Sequence, residues 1–384
     1  MTPRLLLCLA LAPAALFGPG DARCQERPQE PFELARALRS LQDRIAGGDT
    51  KAFLSYRTEL SRITDELGQA KDESWKDARN VRAAIAIVLS GGDPQILQTL
   101  VKQVSGQEQT LVRAALAYGL NRNAEASELL ADIDARTLDA SIAGHIALVQ
   151  AELVAKKDRV KTLALLADAR LLAPGTMIEE SALRREVTLA VERNDAEGFE
   201  ASTMRYVRRF ANSMHMANFR RQLIVDLTTR GFADDPARRS KLEAVLAFLP
   251  AGPRQDVYLS IAWEGLKGSS MDLVRWAAAN AAALASEDSE QHLRSRLCEA
   301  AALVVTNELD KARAILEGMP VDRLNEDEKD LLAAALRAAK EIRREAKPAE
   351  ANGVRPRDAA DPTIAASVRS TIAQVDNILA GGRK

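Results

Sequence analysis

Helix-breaking residues recur along this chain at a near-constant interval, and that interval constrains the fold more than any single motif does. One series of breaks runs Gly47-Gly48-Asp49, Gly91-Gly92-Asp93, Asn121-Arg122-Asn123, Lys157-Asp158, Arg193-Asn194-Asp195, Gly231 to Asp235, Gly268-Ser269-Ser270 and Thr306-Asn307. A second series interleaves with it at Gly68, Gly106, Asp134, Pro174-Gly175, Asn212-Ser213, Pro250 to Pro253, Ser286 to Asp288 and Gly318 to Pro320. Successive breaks of the first series lie roughly 37 residues apart, within the range of helix-pair repeats. Between breaks, apolar residues step by three and four. Leu34, Leu38, Leu41 and Ile45 form one such set, Ile142, Ile146, Val149 and Leu153 another, and Phe199, Thr203, Tyr206 and Phe210 a third. Each set lines one face of a helix. No run alternates apolar and polar residues long enough to nominate a strand.

A single pair of helices cannot offset the entropy of ordering its chain with the few large side chains it buries alone, so each pair must share its second face with a neighbour. The predicted fold is therefore an all-α solenoid of about eight antiparallel helical hairpins, a tetratricopeptide-like superhelix with one continuous core, spanning residues 25–344. Aromatic residues make up only 4% of the chain, which argues against sandwiches and barrels built on aromatic-rich strands. Gly-Gly-Asp in the first two breaks reads as a glycine closing one helix and an aspartate capping the next, with Pro94 at a first helical position. Asn325 should cap a closing helix that buries Leu332, Leu336, Ala339 and Ile342.

The two ends have other signatures. Met1 to Arg4 gives a short positive start, Leu5 to Phe17 is continuously apolar apart from Pro13, and Gly18-Pro19-Gly20 breaks the stretch. That is the layout of a cleavable signal peptide over residues 1–24, with cleavage expected after Cys24, and the apolar stretch is too short to span a bilayer comfortably. The mature chain is then expected in the periplasm, with no membrane span. It keeps only Cys298, so no internal disulfide can form, and this cysteine reads as a small buried hydrophobe. Residues 345–360 read as a flexible linker. Residues 361–384 form an amphipathic tail helix, either docking a partner or folding back as a cap.

The inventory for chemistry is sparse. With 53 basic and 54 acidic side chains, the chain has a net charge of −1 and no basic surplus to attract nucleic acid. His145, His215 and His292 lack a second ligand at metal spacing; His145 reads as structural, the other two as solvated. Glu179 and Glu180 point about 100° apart on a helix, so they read as carboxylates complementing a helix N-terminus rather than a catalytic pair. No catalytic, cofactor or metal site is nominated. The weak candidates for partner contact are Arg205, Arg208 and Arg209, which share one helical face, and Trp263 and Trp276 in adjacent helices.

Several strings carry a resemblance. The segment Ala173-Pro174-Gly175-Thr176-Met177-Ile178-Glu179-Glu180-Ser181-Ala182-Leu183-Arg184-Arg185 looks like the most characteristic stretch of the MotC family of exported flagellar-motor motility proteins. Asp77-Ala78-Arg79-Asn80 through Gly91-Gly92-Asp93-Pro94 is similar to another family string. So are Arg205-Tyr206-Val207-Arg208-Arg209-Phe210, Asp226-Leu227 and Arg254-Gln255-Asp256-Val257-Tyr258-Leu259. The likeness runs from about Pro31 to about Ala278. It implies a non-catalytic periplasmic accessory of the flagellar stator, binding the periplasmic part of MotB and required for motor rotation. A generic envelope scaffold and a helical accessory region of a cell-wall hydrolase are the competing readings.

Overall fold

Each break read from the sequence is a place where one helix is closed chemically and the next is capped. The computed structural model describes residues 29–268 and 270–345. The signal peptide, most of the linker and the tail helix expected above lie outside the described residues. Eight successive helix pairs run in the predicted order. They are α1 (Pro31–Ala46) with α2 (Thr50–Gly68), α3 (Ala78–Leu89) with α4 (Ile96–Leu100), and α5 (Gly106–Gly119) with α6 (Asn123–Leu129). Next come α7 (Ala140–Val154) with α8 (Arg159–Leu172), and α9 (Met177–Glu192) with α10 (Ala196–Arg209). The last three are α11 (Met216–Thr229) with α12 (Pro236–Leu246), α13 (Ala251–Lys267) with α14 (Met271–Ala283), and α15 (Glu290–Leu303) with α16 (Leu309–Glu317). A closing helix, α17 (Glu326–Glu345), completes the series. Among the described residues there is no strand, as the periodicity predicts.

One device ends five of the first helices in these pairs. Gly48, Gly91, Asn121, Asn194 and Gly231 each stand two residues past a helix end with positive φ, between 53° and 103°. A left-handed residue there turns the chain and lets the following N–H reach back to the helix. Asp49 N donates to Arg44 O at 2.9 Å, Arg122 N to Ala117 O at 2.8 Å and Asp195 N to Ala190 O at 2.9 Å. Aspartates then cap the second helices of four pairs: Asp49 accepts from Ala52 N, Asp158 from Lys161 N, Asp195 from Gly198 N and Asp235 from Ala237 N. Each cap is worth about 1 kcal/mol. The second Gly-Gly-Asp behaves differently from the first. Pro94 lies in a turn two positions ahead of α4, and its ring packs on Gly119, where a Cβ would come within 2.7 Å.

The apolar core is divided, which corrects the expectation of one continuous core. One large block spans the early pairs, from Leu34 to Ala182. Another spans the later pairs, from Leu183 to Ala302, and a third joins α15, α16 and α17 around Leu303, Leu316 and Leu332. The two large blocks change over inside α9, where buried polar residues crowd.

The superhelix also curls far enough for its beginning to touch its middle. Met214 N, in the loop after α10, donates to Ile45 O at 3.2 Å, and Met214 packs with Leu41, Ile45, Ala52 and Tyr56. Gly48 lies so close to that loop that a Cβ on it would sit 2.5 Å from Asn212 O. Both the positive φ and the clash penalise any side chain there. Gly48→Ala is expected to cost roughly 2–4 kcal/mol in a denaturant melt. Gly68→Ala, at an open position with nothing within 4 Å of its Cβ, should be neutral or slightly stabilising.

Candidate functional site

Two of the strings singled out by sequence, Ala173 to Arg185 and Arg205 to Phe210, meet in space and build a polar joint. Thr176 caps α9, its hydroxyl accepting from Ile178 N at 3.2 Å. In the first turn of α9, where the sequence places them, Glu179 and Glu180 are 2% and 0% exposed, so they also anchor the fold. Glu179 accepts from Gly175 N at 2.6 Å and pairs with Arg209 at 3.1 Å. Glu180 accepts from the Tyr206 hydroxyl at 3.0 Å and the Ser213 hydroxyl at 2.6 Å. Burial, reinforced by Glu180, pushes the Tyr206 phenol well above its ordinary pKa. Deeper along α9, Glu186 takes Ser202 Oγ at 3.0 Å and Arg170 Nε at 3.3 Å. Asp226 is likewise buried and held by Thr188 and Gln222, both at 3.0 Å. The carboxylates of α9 thus hold α8, α9 and α10 and the loop beyond them, with one oxygen of Glu180, Oε2, buried and unpartnered.

Four of the five predicted partner-contact residues, all but Arg205, make contacts within the chain. Arg205, Arg208 and Arg209 share an exposed face of α10, as their spacing predicts. Arg209, however, is committed to Glu179, and the Arg208 guanidinium lies 4.6 Å above the Phe248 ring. Trp263 and Trp276 are both half-buried against the later core block. Trp276 donates to Glu243 at 2.7 Å, stands edge-on to Tyr258 at 5.4 Å and carries Arg239 over its ring. The structure does not bring the arginines and tryptophans together into one site.

A cavity of about 380 Å³ does gather charged groups, and sequence reading did not single it out. Its walls are α1, α3, the start of α7 and the start of α9, helices that face each other because the superhelix curls. Arg36 and Arg39 line it from α1, Arg79 and Arg82 from α3, and Asp139, Ser141 and His145 from α7. The floor is apolar, with Leu38, Ala83, Ile87 and Ala173. Among the described residues neither Arg36 nor Arg39 is ion-paired. Arg79 is tied to Asp77 at 2.7 Å, and Asp139 is occupied by Ser141 N and Oγ. Arg82 has a buried Nε without a partner, and its nearest carboxylates, Glu108 and Asp139, are both 3.6 Å away. The sequence signals for this grouping are the i, i+3 spacings of Arg36 with Arg39 and of Arg79 with Arg82. A larger recess, about 710 Å³, runs along α7, α8, α9 and α11, but its acid, Asp226, is already satisfied inside the fold.

The histidines differ from one another. Burial, with Arg39 nearby, pushes the His145 imidazole down to about 4. His215 and His292 are half-buried, each with one buried ring nitrogen that has no partner, which corrects the reading of both as solvated. His215 caps the path into α11 and stands edge-on to Phe53 at 5.8 Å. Cys298 is buried as predicted, and burial pushes its thiol up to about 12. Among the described residues no three His, Cys, Asp or Glu side chains are grouped to hold a metal ion, and no helix is long and apolar enough to cross a membrane.

The family profile described as chemotaxis protein MotC matches residues 1–381. The chemotaxis protein MotC of Rhizobium meliloti (strain 1021) is 30% identical over 336 residues, covering 86% of this chain and 77% of the relative. No solved structure matches significantly.

Two outcomes test the electrostatics. Glu180→Ala strands the hydroxyls of Tyr206 and Ser213 in a buried site and is expected to cost about 2–4 kcal/mol by chemical denaturation. His145 binds its proton in the unfolded chain near 6.5 but in the folded chain only near 4, so stability should fall as pH drops through that window. His145→Gln should remove up to about 3 kcal/mol of that fall in melts at pH 7 and pH 4.

Proposed function

The chain belongs to the MotC family, and from that membership we propose that it serves flagellar motility as an exported, non-catalytic adaptor that binds the periplasmic part of the stator protein MotB and is required for motor rotation. The membership carries the motility reading. The periplasmic address is supported by the charged start, the short apolar stretch and the break that precede residue 24. The adaptor role is supported by the architecture: a helical superhelix offers long faces and an inner cavity to another chain, and its buried acids bond to neighbouring helices. Catalysis needs a nucleophile, base or acid converging on one point, and the buried carboxylates here point into hydrogen bonds with neighbouring helices instead.

In this reading the adaptor acts by differential binding. Contact with one arrangement of the stator favours that arrangement, with no covalent step.

An in-frame deletion is expected to leave flagella assembled and motionless, with swimming restored by the gene in trans. Pull-down of the mature chain from periplasm should enrich MotB. Normal swimming in the deletion strain would overturn the motility reading. Enrichment of cell-wall or outer-membrane assembly proteins in place of MotB would assign a general envelope scaffold instead.

A further inference from the structure

We propose that the cavity enclosed by α1, α3, α7 and α9 receives an acidic segment of a partner protein, with Arg36, Arg39 and Arg82 binding its glutamate or aspartate carboxylates. The inference goes beyond the motility reading, because it stands on the cavity's own charges and holds whichever protein supplies the segment.

Three observations converge on a carboxylate ligand. Arg36 and Arg39 stand one turn apart on the cavity face of α1, and among the described residues neither has an ionic partner. Across from them, Arg82 presents a guanidinium whose Nε is buried and unpartnered, while its two terminal nitrogens make only long ion pairs of 3.6 Å to Glu108 and Asp139. Gathering like charges around one space is unfavourable in the empty protein, and an anion in their midst converts that repulsion into attraction. The cavity's own carboxylate, Asp139, caps α7 through Ser141 and pairs with Arg82 at 3.6 Å, so this one acid stands against Arg36, Arg39, Arg79 and Arg82 in the lining and leaves a positive excess.

Shape narrows the ligand further. The Arg36 guanidinium lies 5.8 Å from the Phe32 ring centroid, a contact that orients the planar fork and leaves its edges open for paired bonds to a carboxylate. The floor of Leu38, Ala83, Ile87 and Ala173 suits the methylene stem of a glutamate. A volume of about 380 Å³ admits a few side chains, not a folded domain. His145, held neutral beside Arg39, adds a hydrogen-bonding group without adding repulsion.

The test is fluorescence anisotropy of a labelled hexaglutamate peptide with the full mature chain at low ionic strength. Saturable one-to-one binding is expected. R36Q/R39Q should weaken it at least about tenfold, while R57Q/R113Q, which removes the same charge elsewhere, should leave it unchanged. Ser141→Glu, which puts a carboxylate of the chain's own into the cavity, should weaken binding comparably and decides the matter if the arginine variant does not fold. The proposal is overturned by the absence of saturable binding. It is equally overturned by undiminished affinity in the folded cavity variants, or by tripolyphosphate binding more tightly than the peptide, which would assign a phosphate site.

Discussion

Every helix pair in this protein has an apolar face that only the next pair can cover, and the whole architecture results from that sharing. Val81, Ile85 and Ile87 of α3 are fully buried because α1 and its successors close over them, and Ile142 and Ile146 of α7 repeat the situation further along. A chain under this constraint cannot stop after one or two pairs. It must also finish with an element that leaves no apolar face open, which α17 supplies through Leu332 and Ala339. The left-handed residues at Gly48, Gly91, Asn121, Asn194 and Gly231 set how tightly each pair turns back, and so how the pairs lean on one another.

The lean has two consequences. The first is curvature: α1 comes round to touch α9, and the loop after α10 docks on the end of α1. The cavity exists because of that closure, since helices of the first, second, fourth and fifth pairs supply its walls. The second is the polar joint in α9. Where the two large apolar blocks meet, Glu179, Glu180 and Glu186 replace nonspecific apolar contact with directed hydrogen bonds to Arg209, Tyr206, Ser213 and Ser202. Buried charge of this kind adds little net stability against an apolar alternative, but it penalises any other register of α10 against α9.

Much of the fold was legible because turn chemistry is local. Glycine, asparagine and aspartate at a fixed offset from the last apolar residue announce a helix end whatever lies around them, and the eight pairs fall between those marks. The features that were not legible depend on distance along the chain. The burial of Glu179 and Glu180 is set by Tyr206, Arg209 and Ser213, more than twenty residues later, so their position after Pro174-Gly175-Thr176 announced the helix start but not the partners that bury it. Pro94 stands in a turn ahead of α4 rather than at its first position, packed on Gly119 of the next pair, a contact no local string announces. The inner cavity was invisible for the same reason. No string contains it, and Arg36, Arg82 and His145 become neighbours only through the summed rotation of successive pairs.

Closure of the first pair onto the loop after α10 is the claim on which the cavity and its charge depend. The most direct measurement is cross-linking of a T50C/M214C variant with a short bis-maleimide, since Thr50 Oγ1 lies 3.8 Å from Met214 Sδ across that seam. A closed superhelix yields an intramolecularly linked monomer in high yield, lost in the G48A background. A folded chain that gives no intramolecular product would mean that the first pair stands apart from the fifth, and the cavity with it would be absent.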